Sequence, residues 1–327
     1  MNQYFLGIDV GATKSHALIA DAQGRAVGFG VGGPGSHEVI GYDGLRAVLH
    51  TVIDAALAAA RIAKADIAGA GFGIAGYDWP GDAAPHHQAI ASLELSAPYA
   101  LVNDTIIGLV AGATEGWGVG VVSGTGSNCW GRDRQGGEGR MTGGGEQFAE
   151  YAGGGDLVGK AVQAVALAWG RRGPQTRLTE AFLALTGAQD ALDLLEGLYR
   201  GHYTLTSSNA PLVFQVAAEG DAVAQEVIRW AGRELGSLAI GVIRQLGFEV
   251  LDVEVVQIGS LYNGSPLMSE TMLATIHAVA PGARLVRLAA PPVIGGVLLG
   301  MEQAGVEYPS LRQTLIETTA ALLSSAD

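Results

Sequence analysis

An apolar run that leads directly into a glycine- and hydroxyl-rich turn is the feature that most constrains the fold of this chain. Residues 121–128 read VVSGTGSN, and residues 6–15, at the start of the chain, read LGIDVGATKS. Glycine lets backbone N–H groups approach an anion closely, and the Ser and Thr hydroxyls add further donors. Two such turns, about 110 residues apart, predict two half-sites that close on one polyphosphate.

Composition limits the class of partner. The 327 residues are sufficient for two domains with full cores, and 48% apolar with 16% charged residues is typical of a globular protein. The net charge of −13 argues against a nucleic-acid partner, which binds a basic face. Local donors and a metal still allow ATP to bind to an acidic protein. We therefore favour a nucleotide-dependent phosphotransferase.

The same composition bears on location and on redox chemistry. No apolar run reaches the roughly 18 residues of a membrane helix, and the N-terminus lacks the basic start and apolar block of a secretory leader. The sequence thus predicts a cytoplasmic protein with no membrane partner. The single cysteine, Cys129, excludes an intrachain disulfide and a CxxC metal site.

Apolar periodicity predicts strands that alternate with helices, and hence α/β layers. Strands are predicted at residues 4–8, 15–20, 25–29, 67–75, 99–102, 117–123, 128–132, 253–258 and 284–288. Helices are predicted at residues 43–63, 105–114, 157–169, 179–185, 188–200, 221–245 and 266–279, with two more at the end of the chain. The glycine-rich segment 30–36 is predicted to be irregular. The strand-and-hairpin pattern restarts after residue 116, which indicates duplicated halves and a domain boundary there.

Two familiar nucleotide motifs do not apply to this sequence. Residues 71–76 read GFGIAG and match G-x-G-x-x-G, but a turn, YDWPGD, follows in place of the required helix. We interpret this stretch as the glycine-rich end of a buried strand. The tripeptide TKS at residues 13–15 resembles the end of a Walker A loop, but Ile8 and Thr13 occupy the glycine positions and a strand follows.

Two aspartates are candidates for chemistry. Asp9 lies between Ile8 and Val10 on a strand that we expect to be buried, where a carboxylate needs a partner. It either holds Mg²⁺ through water or caps the amides of the turn. Asp104 ends a short apolar strand and precedes a helix, where an Asp is commonly an N-cap. The alternative role for Asp104 is a general base that accepts a hydroxyl proton.

Further glycine-rich stretches are candidates for substrate and nucleotide contacts. The glycine runs 143–145 and 153–155 enclose Glu150. They either let a substrate approach the backbone or form a mobile surface loop. Gly259 and Ser260 follow a predicted strand, where they could seat an adenine.

The order and spacing of these motifs resemble those of the acetate/sugar kinase, Hsc70 and actin superfamily. The most similar branch is that of the N-acetylglucosamine kinases and the BadF/BadG/BcrA/BcrD-type ATPases. Residues 7–15 look like its first phosphate motif and residues 123–129 like its second. Residues 255–260 look like its adenosine motif, and residues 291–300, PPVIGGVLLG, are similar to its penultimate segment.

The resemblance implies an α/β fold of two ribonuclease-H-like (actin-like ATPase) domains around a central cleft. The predicted N-terminal domain comprises residues 1–115 and a returning C-terminal helix at about 305–327. The C-terminal domain, residues 116–304, carries the nucleotide site. Closure of the domains on the substrate would exclude water, and a homodimer is common in the family.

The resemblance also implies roles for single residues. Asp104 falls where the family's kinases keep their catalytic base, and Asp9 is predicted to anchor Mg²⁺ through water. The predicted ATP- and phosphate-binding residues are Gly11, Thr13, Lys14, Gly124, Thr125, Gly126, Ser127, Gly259 and Ser260. The predicted substrate-binding residues are Ser36, His37, Asn103, Asp104, Thr125, Gly144, Gly145 and Glu150.

One departure from the family leaves the acceptor open. N-acetylglucosamine kinases typically carry Gly-Trp-Gly…Gly-Asp-Glu-Gly-Ser after the second phosphate motif, where it helps to hold the sugar. Here residues 144–153 read GGEQFAEYAG, so the tryptophan is absent and the acidic residue is displaced. The departure bears on which sugar is bound and leaves the prediction of phosphoryl transfer unchanged.

These observations predict transfer of the γ-phosphoryl of ATP, with Mg²⁺, to an amino sugar, first of all to the 6-hydroxyl of N-acetylglucosamine. Glucosamine, another hexosamine or another small hydroxyl compound are alternatives, as is a nucleotide-sensing module without turnover. A further alternative is an ATPase that activates another enzyme. The activating ATPases hold an iron–sulfur cluster between subunits with two cysteines per chain, and Cys129 alone cannot supply them.

Overall fold

A computed structural model describes residues 3–324, whose contacts divide the chain into two compact units. The first unit comprises the chain up to Gly120, Trp130–Glu138 and the chain from Val286 onward; the second comprises Val121–Cys129 and Gly139–Leu285. The division at residue 116, with 305–327 returning to the first domain, stays a prediction. Residues 1–2 and 325–327 of the predicted domains lie outside the described range.

Within residues 3–324 the strands form two five-stranded sheets. The strands are β1 (Tyr4–Val10), β2 (Ser15–Asp21), β3 (Ala26–Gly32), β4 (Ile67–Ile74), β5 (Tyr99–Asn103), β6 (Gly118–Ser123), β7 (Ser127–Arg132), β8 (Glu138–Arg140), β9 (Glu254–Ile258) and β10 (Arg284–Arg287). Their orders are β3-β2-β1-β4-β5 and β10-β9-β6-β7-β8. When the strands of each sheet are renumbered 1 to 5 in chain order, both sheets have the order 3-2-1-4-5, read from β3 in the first sheet and from β8 in the second. This shared order supports the predicted duplication.

Helices flank these sheets and dominate the second unit. They are α1 (His37–Ala60), α2 (Ala83–Ala91), α3 (Asp104–Gly112), α4 (Gly154–Trp169), α5 (Leu178–Thr186), α6 (Ala191–Tyr199), α7 (Ala210–Ala218), α8 (Ala222–Leu246), α9 (Pro266–His277), α10 (Val293–Gln303) and α11 (Arg312–Ser324). Buried residues of α1, such as Leu45, Leu49 and Val52, recur at helical spacing and pack against β2 and β3. No helix in the described range combines the length and the apolar character needed to cross a bilayer.

The first sheet brings three strand ends to one edge. β1 pairs antiparallel with β2 and parallel with β4, which in turn pairs parallel with β5. The register aligns Val10 with Ile74, and Ile74 with Asn103. Ligand sites in open α/β sheets lie outside the carboxyl ends of the parallel strands, so this edge is where function is expected.

Helix α10 approaches β1 and β4 so closely that the contact requires glycine. A Cβ on Gly7 would lie 2.4 Å from the Val293 carbonyl oxygen, and a Cβ on Gly71 would lie 2.3 Å from that of Gly296. Real Cβ atoms do not come this near to a backbone oxygen, so larger residues would push the helix away from the sheet. This contact explains Gly69 and Gly71 of β4 and Gly296 and Gly300 of α10.

Three parts of the secondary-structure prediction need correction. β3 continues to Gly32, whereas residues 30–36 were expected to be irregular, because Gly30 packs against the α1 backbone, with its Cβ position 2.0 Å from the Val52 carbonyl oxygen. The glycine run 153–155 begins α4 and is not a loop. Helices α2 and α7 and the short strand β8 were not predicted. The interpretation of GFGIAG was right, since β4 ends in it and a turn follows.

We expect Gly71→Ala to lower the free energy of unfolding by about 1–3 kcal/mol, because the added methyl overpacks the contact between α10 and β4. Urea denaturation followed by circular dichroism measures the change. Gly159→Ala is the matched control, because it lies inside α4 with open space around its Cβ position. That variant should be unchanged or more stable by about 1 kcal/mol. Equal stability of the two variants would contradict the close contact.

Candidate active site

The predicted catalytic residue and two acidic neighbours lie at the shared edge of β1, β4 and β5. Asp9 precedes the last residue of β1, Asp78 lies in the loop after β4, and Asp104 opens α3 directly after β5. The charges of Asp9 and Asp78 act on Asp104. The first unit therefore holds three carboxylates near one another at the end of the sheet where ligands bind in this class of fold.

Asp104 has the properties of a base that operates near neutral pH. Burial, and then the charges of Asp9 and Asp78, raise the pKa of Asp104 from 3.8 to about 7. Backbone N–H donors of the first turn of α3 oppose the shift. A carboxyl group with a pKa near the working pH accepts and returns a proton readily. The predicted N-cap role falls instead to Asn103, whose side-chain oxygen accepts from the Thr105 N–H at 2.9 Å.

Asp78 is a buried acidic residue of the site that the sequence analysis did not single out. Its carboxylate accepts a hydrogen bond from Asn103 Nδ2 at 3.1 Å, and only 8% of the residue is exposed. The partner, Asn103, lies 25 positions away at the end of β5. The turn signal of YDWPGD located the loop, but no sequence pattern identified the contact.

Asp9 suits the role predicted for it at the metal. Its side chain is 17% exposed, and its contact with His16, across the β1–β2 pair, is a long one of 3.7 Å. Mg²⁺ is commonly bound through one or two carboxylates together with water and substrate phosphates. A partly exposed carboxylate at the strand end, beside a glycine-containing turn, fits such an outer-sphere anchor.

The first glycine-rich turn joins β1 to β2 and is exposed at its tip. The Gly11 N–H donates to the Lys14 carbonyl at 2.9 Å, and the Gly11 carbonyl accepts from the Gly35 N–H at 3.0 Å. Thr13 and Lys14 are exposed. The turn thus presents a hydroxyl and an ammonium group that can contact phosphate oxygens.

Predicted sugar-contacting residues lie against a cluster of rings in which His86 is fully buried and His37 and Tyr42 are partly buried. The His37 ring stacks on Tyr42 at 4.5 Å and meets the edge of His86 at 5.0 Å. Ser36 Oγ, His37 Nδ1 and His86 Nε2 are buried and find no hydrogen-bond partner in the part of the chain that the structure describes. Buried polar atoms are normally paired with protein, water or ligand. Ser36 and His37 are therefore suited to contact a polar ligand.

The second glycine-rich turn, between β6 and β7, is exposed at Thr125 and Gly126. The Gly124 N–H donates to the Gly126 carbonyl at 2.9 Å, and a Cβ on either glycine would meet nothing within 4 Å. Thr125 is exposed and Ser127 is half-buried. The N-terminus of α4 abuts this turn, because the Gly154 N–H donates to the Gly124 carbonyl at 2.8 Å. The positive end of that helix dipole favours an anion here.

The predicted adenosine motif lies against the same turn in the second unit. Gly259 has φ of 108°, and its Cβ position is 2.2 Å from the Ser123 carbonyl oxygen, so only glycine fits. Ser260 is exposed. The Tyr262 hydroxyl donates to the Val121 carbonyl at 3.2 Å and ties the segment after β9 to β6. The structure thus brings two separate predicted nucleotide motifs together.

The glycine-rich stretch after β8 is folded around Glu150. One Glu150 carboxylate oxygen accepts from the Thr142 N–H at 2.6 Å, and the other is buried without a partner among the described residues. Gly144 packs on the Phe148 ring, while Gly145 has φ of 61°. Glu150 is only 4% exposed. Its carboxylate is therefore held inside this stretch, with one oxygen available to accept a hydrogen bond.

A strained residue, Ala152, connects the stretch around Glu150 to the strand that precedes the second turn. Ala152 is buried with φ of 88°, a region that residues with a Cβ rarely adopt. Its carbonyl accepts from the buried Ser123 hydroxyl at 2.7 Å. Strain of this kind persists where the surrounding contacts fix the backbone, commonly at functional sites.

Comparisons with known proteins give a family match and a relative of similar length. The sequence model described as the BadF/BadG/BcrA/BcrD ATPase family matches residues 6–300. An N-acetylmuramic acid/N-acetylglucosamine kinase of Clostridium acetobutylicum is 24% identical over 303 residues, which cover 92% of this chain and 99% of the relative.

Two solved structures share the fold. A Chromobacterium violaceum protein proposed to be an N-acetylglucosamine kinase has a TM-score of 0.64 at 23% identity, covering 91% of this chain and 98% of its own. A ROK family glucokinase of Streptomyces griseus, crystallised with glucose and AMPPNP, has a TM-score of 0.57 at 18% identity, covering 92% and 100%. The α/β fold with two ribonuclease-H-like sheets is thereby confirmed.

The raised pKa of Asp104 makes stability depend on pH. The folded state binds this proton more tightly than the unfolded state, so the free energy of unfolding should fall as pH rises from about 4 to about 7. Asparagine cannot ionise. We therefore expect the stability of Asp104→Asn, relative to the unchanged protein, to increase across this range and then to level off.

Urea denaturation at a series of pH values measures this difference. Asp54→Asn, on the exposed side of α1, is the control and should follow the unchanged protein at every pH. A difference between Asp104→Asn and the unchanged protein that stays constant from pH 4 to pH 7 would show that Asp104 titrates normally in the folded state.

Proposed function

Because this chain belongs to the BadF/BadG/BcrA/BcrD ATPase family, we propose that it is an ATP-dependent sugar kinase that phosphorylates a hydroxyl of an amino sugar. The observation that carries the proposal is the Asp104 carboxyl, held at the start of α3 with a pKa of about 7. The first acceptor to test is the 6-hydroxyl of N-acetylglucosamine. This choice is supported by the name of the Clostridium acetobutylicum relative, an N-acetylmuramic acid/N-acetylglucosamine kinase.

In the proposed reaction, Asp104 orients the acceptor hydroxyl and takes its proton. The sugar oxygen forms a bond to the γ-phosphorus while the bond from that phosphorus to the β–γ bridging oxygen breaks. ADP leaves, and the proton passes from Asp104 to solvent. Little covalent chemistry is needed from the protein, so positioning and neutralisation of charge supply most of the rate.

The glycine-rich turns are proposed to bind the nucleotide. Backbone N–H groups and hydroxyls of the turns at Gly11–Lys14 and Gly124–Ser127 contact the phosphates, and Gly259 and Ser260 contact the adenosine. Mg²⁺ would neutralise phosphate charge when bound. Asp9 would hold the water shell of that ion, and its partly exposed carboxylate is compatible with this role.

The sugar is proposed to contact polar atoms that have no partner in the described protein. Ser36 Oγ, His37 Nδ1 and the free Glu150 oxygen have unused hydrogen-bonding capacity, which hydroxyl and amide groups of a hexosamine would satisfy. Asn103, Gly144 and Gly145 remain predicted contacts of the substrate. The altered stretch at residues 144–153 leaves glucosamine and other hexosamines as alternative acceptors. Homodimer formation and a cytoplasmic location stay predictions from the sequence.

The alternative, an ATPase that activates another enzyme through a shared iron–sulfur cluster, is disfavoured by Cys129. The residue is fully buried in β7, and burial, with the nearby Glu150 charge, raises the pKa of its thiol. Cluster ligands are thiolates. A buried thiol that resists ionisation does not suit that role.

We expect Asp104→Asn to lower sugar-dependent ADP release by roughly 10²-fold or more, the usual scale for loss of a general base. A coupled assay with a panel of hexosamines measures the rate, and a thermal shift with ATP checks that the variant still binds nucleotide. Asp54→Asn is again the control. Undiminished turnover of Asp104→Asn would remove Asp104 from the mechanism, and absence of any sugar-dependent turnover in the unchanged protein would overturn the proposed function.

We also expect Asp9→Asn to raise the Mg²⁺ concentration needed for half-maximal rate by about tenfold or more, since second-shell groups commonly contribute 10–100-fold to metal affinity. The loss should be partly recovered at high Mg²⁺. The measurement is a Mg²⁺ titration of ADP release at saturating sugar. An unchanged Mg²⁺ requirement would show that Asp9 has another role, such as capping the turn.

A further inference from the structure

Asp78 lies in the loop after β4 and makes a buried contact with the residue before the proposed base. Its Oδ1 accepts from Asn103 Nδ2 at 3.1 Å, and Asn103 is fully buried. A longer contact of 3.4 Å joins the same Nδ2 to the Tyr77 carbonyl. The donor end of the Asn103 amide thus faces the loop that carries Asp78.

The acceptor end of the same amide begins helix α3. Asn103 Oδ1 accepts from the Thr105 N–H at 2.9 Å, which makes Asn103 the N-cap of α3. An amide has one acceptor end and one donor end. A carboxylate only accepts, so Asp78 can pair only with the NH₂ end. The two hydrogen bonds therefore fix one orientation of the amide, and with it the first turn of α3.

The loop that carries Asp78 is itself held in place. Asp82 Oδ2 accepts from the Asp78 N–H at 3.2 Å and from the Trp79 N–H at 2.8 Å. The chain turns away from β4 at Gly76, which has φ of 85°. A Cβ at this position would also lie 3.0 Å from Ser36 Oγ. Asp78 is thus presented to Asn103 by a fixed turn.

We propose that Asp78 is a positioning residue for Asp104: through the Asn103 amide it fixes the first turn of α3, from which the Asp104 carboxylate projects. The inference rests on the proposed function, because it assigns Asp78 a part in placing the base. The charge of Asp78 also contributes to the raised pKa of Asp104. Placement and charge are separable, since asparagine at 78 keeps an acceptor but carries no charge.

Three variants test the proposal. Asp78→Ala removes the acceptor and Asp78→Asn replaces it with a neutral one. Asp54→Asn removes a charge from the exposed side of α1, away from Asn103. Steady-state kinetics of sugar-dependent ADP release near pH 8, where Asp104 is ionised, gives kcat and KM for each. A misplaced base lowers kcat without weakening nucleotide binding, so we expect Asp78→Ala to lose on the order of 10- to 100-fold in kcat with little change in KM for ATP. Asp78→Asn and Asp54→Asn should stay close to the unchanged protein.

A second readout does not depend on activity. Hydrogen–deuterium exchange of a peptide that covers the first turn of α3 reports whether its amides lose protection. We expect faster exchange there in Asp78→Ala, and normal exchange in Asp78→Asn and Asp54→Asn. If Asp78→Ala does not fold, Asp78→Glu replaces it, because the added methylene displaces the acceptor while the charge is kept.

The outcomes separate this proposal from the proposed function. Unchanged kcat in Asp78→Ala, or unchanged exchange in the first turn of α3, would overturn the positioning role. Equal losses in Asp78→Ala and Asp78→Asn would overturn it as well, since they would assign the effect to charge. If the unchanged protein phosphorylates no sugar, the proposed function fails, and the exchange experiment still decides whether Asp78 fixes the start of α3.

Discussion

The contact of α10 with the glycines of β1 and β4 is the constraint on which the first unit depends. Because Gly7 and Gly71 carry no Cβ, the helix backbone lies directly on the sheet. The parallel pairing of β1, β4 and β5 under this helix aligns Val10, Ile74 and Asn103 at one edge. The turn after β1, the loop after β4 and the start of α3 all emerge there, so close backbone packing in the middle of the sheet determines which side chains meet at its end.

The three carboxylates at that edge repel one another, which lowers the stability of the folded state. Asp9, Asp78 and Asp104 are like charges in a partly desolvated place, and the result is a carboxyl group that resists ionisation until near neutral pH. Isolated charges are rarely kept in such surroundings unless hydrogen bonds or a ligand compensate. The Asn103 amide and the first-turn N–H groups of α3 supply part of the compensation. Sites that violate the rules of stability in this way are commonly functional.

Sequence patterns predicted most strands and both glycine-rich turns, because alternating or continuous apolar runs that end in glycine are typical of strands followed by turns. They also located Asp104, whose position between a strand and a helix is visible in one dimension. The sequence pattern does not predict helix α7, because its nearly uniform apolar composition shows no helical periodicity. It also does not place Gly30 in a strand, because glycine is needed there for a contact with α1 that the sequence does not reveal. Asp78 was missed since its partner, Asn103, is a neighbour only in three dimensions. The domain bounds and the roles of the site residues stay predictions.

The burial of Cys129 has a practical consequence for studying this protein. Its thiol is inaccessible inside β7 and resists deprotonation, so maleimide reagents should leave it unmodified while the protein is folded. Cysteines introduced at exposed positions could therefore be labelled selectively while Cys129 is kept. Dyes attached at one exposed loop of each unit would report, by energy transfer, how the separation of the units responds to nucleotide and sugar, without replacing any native residue of the core.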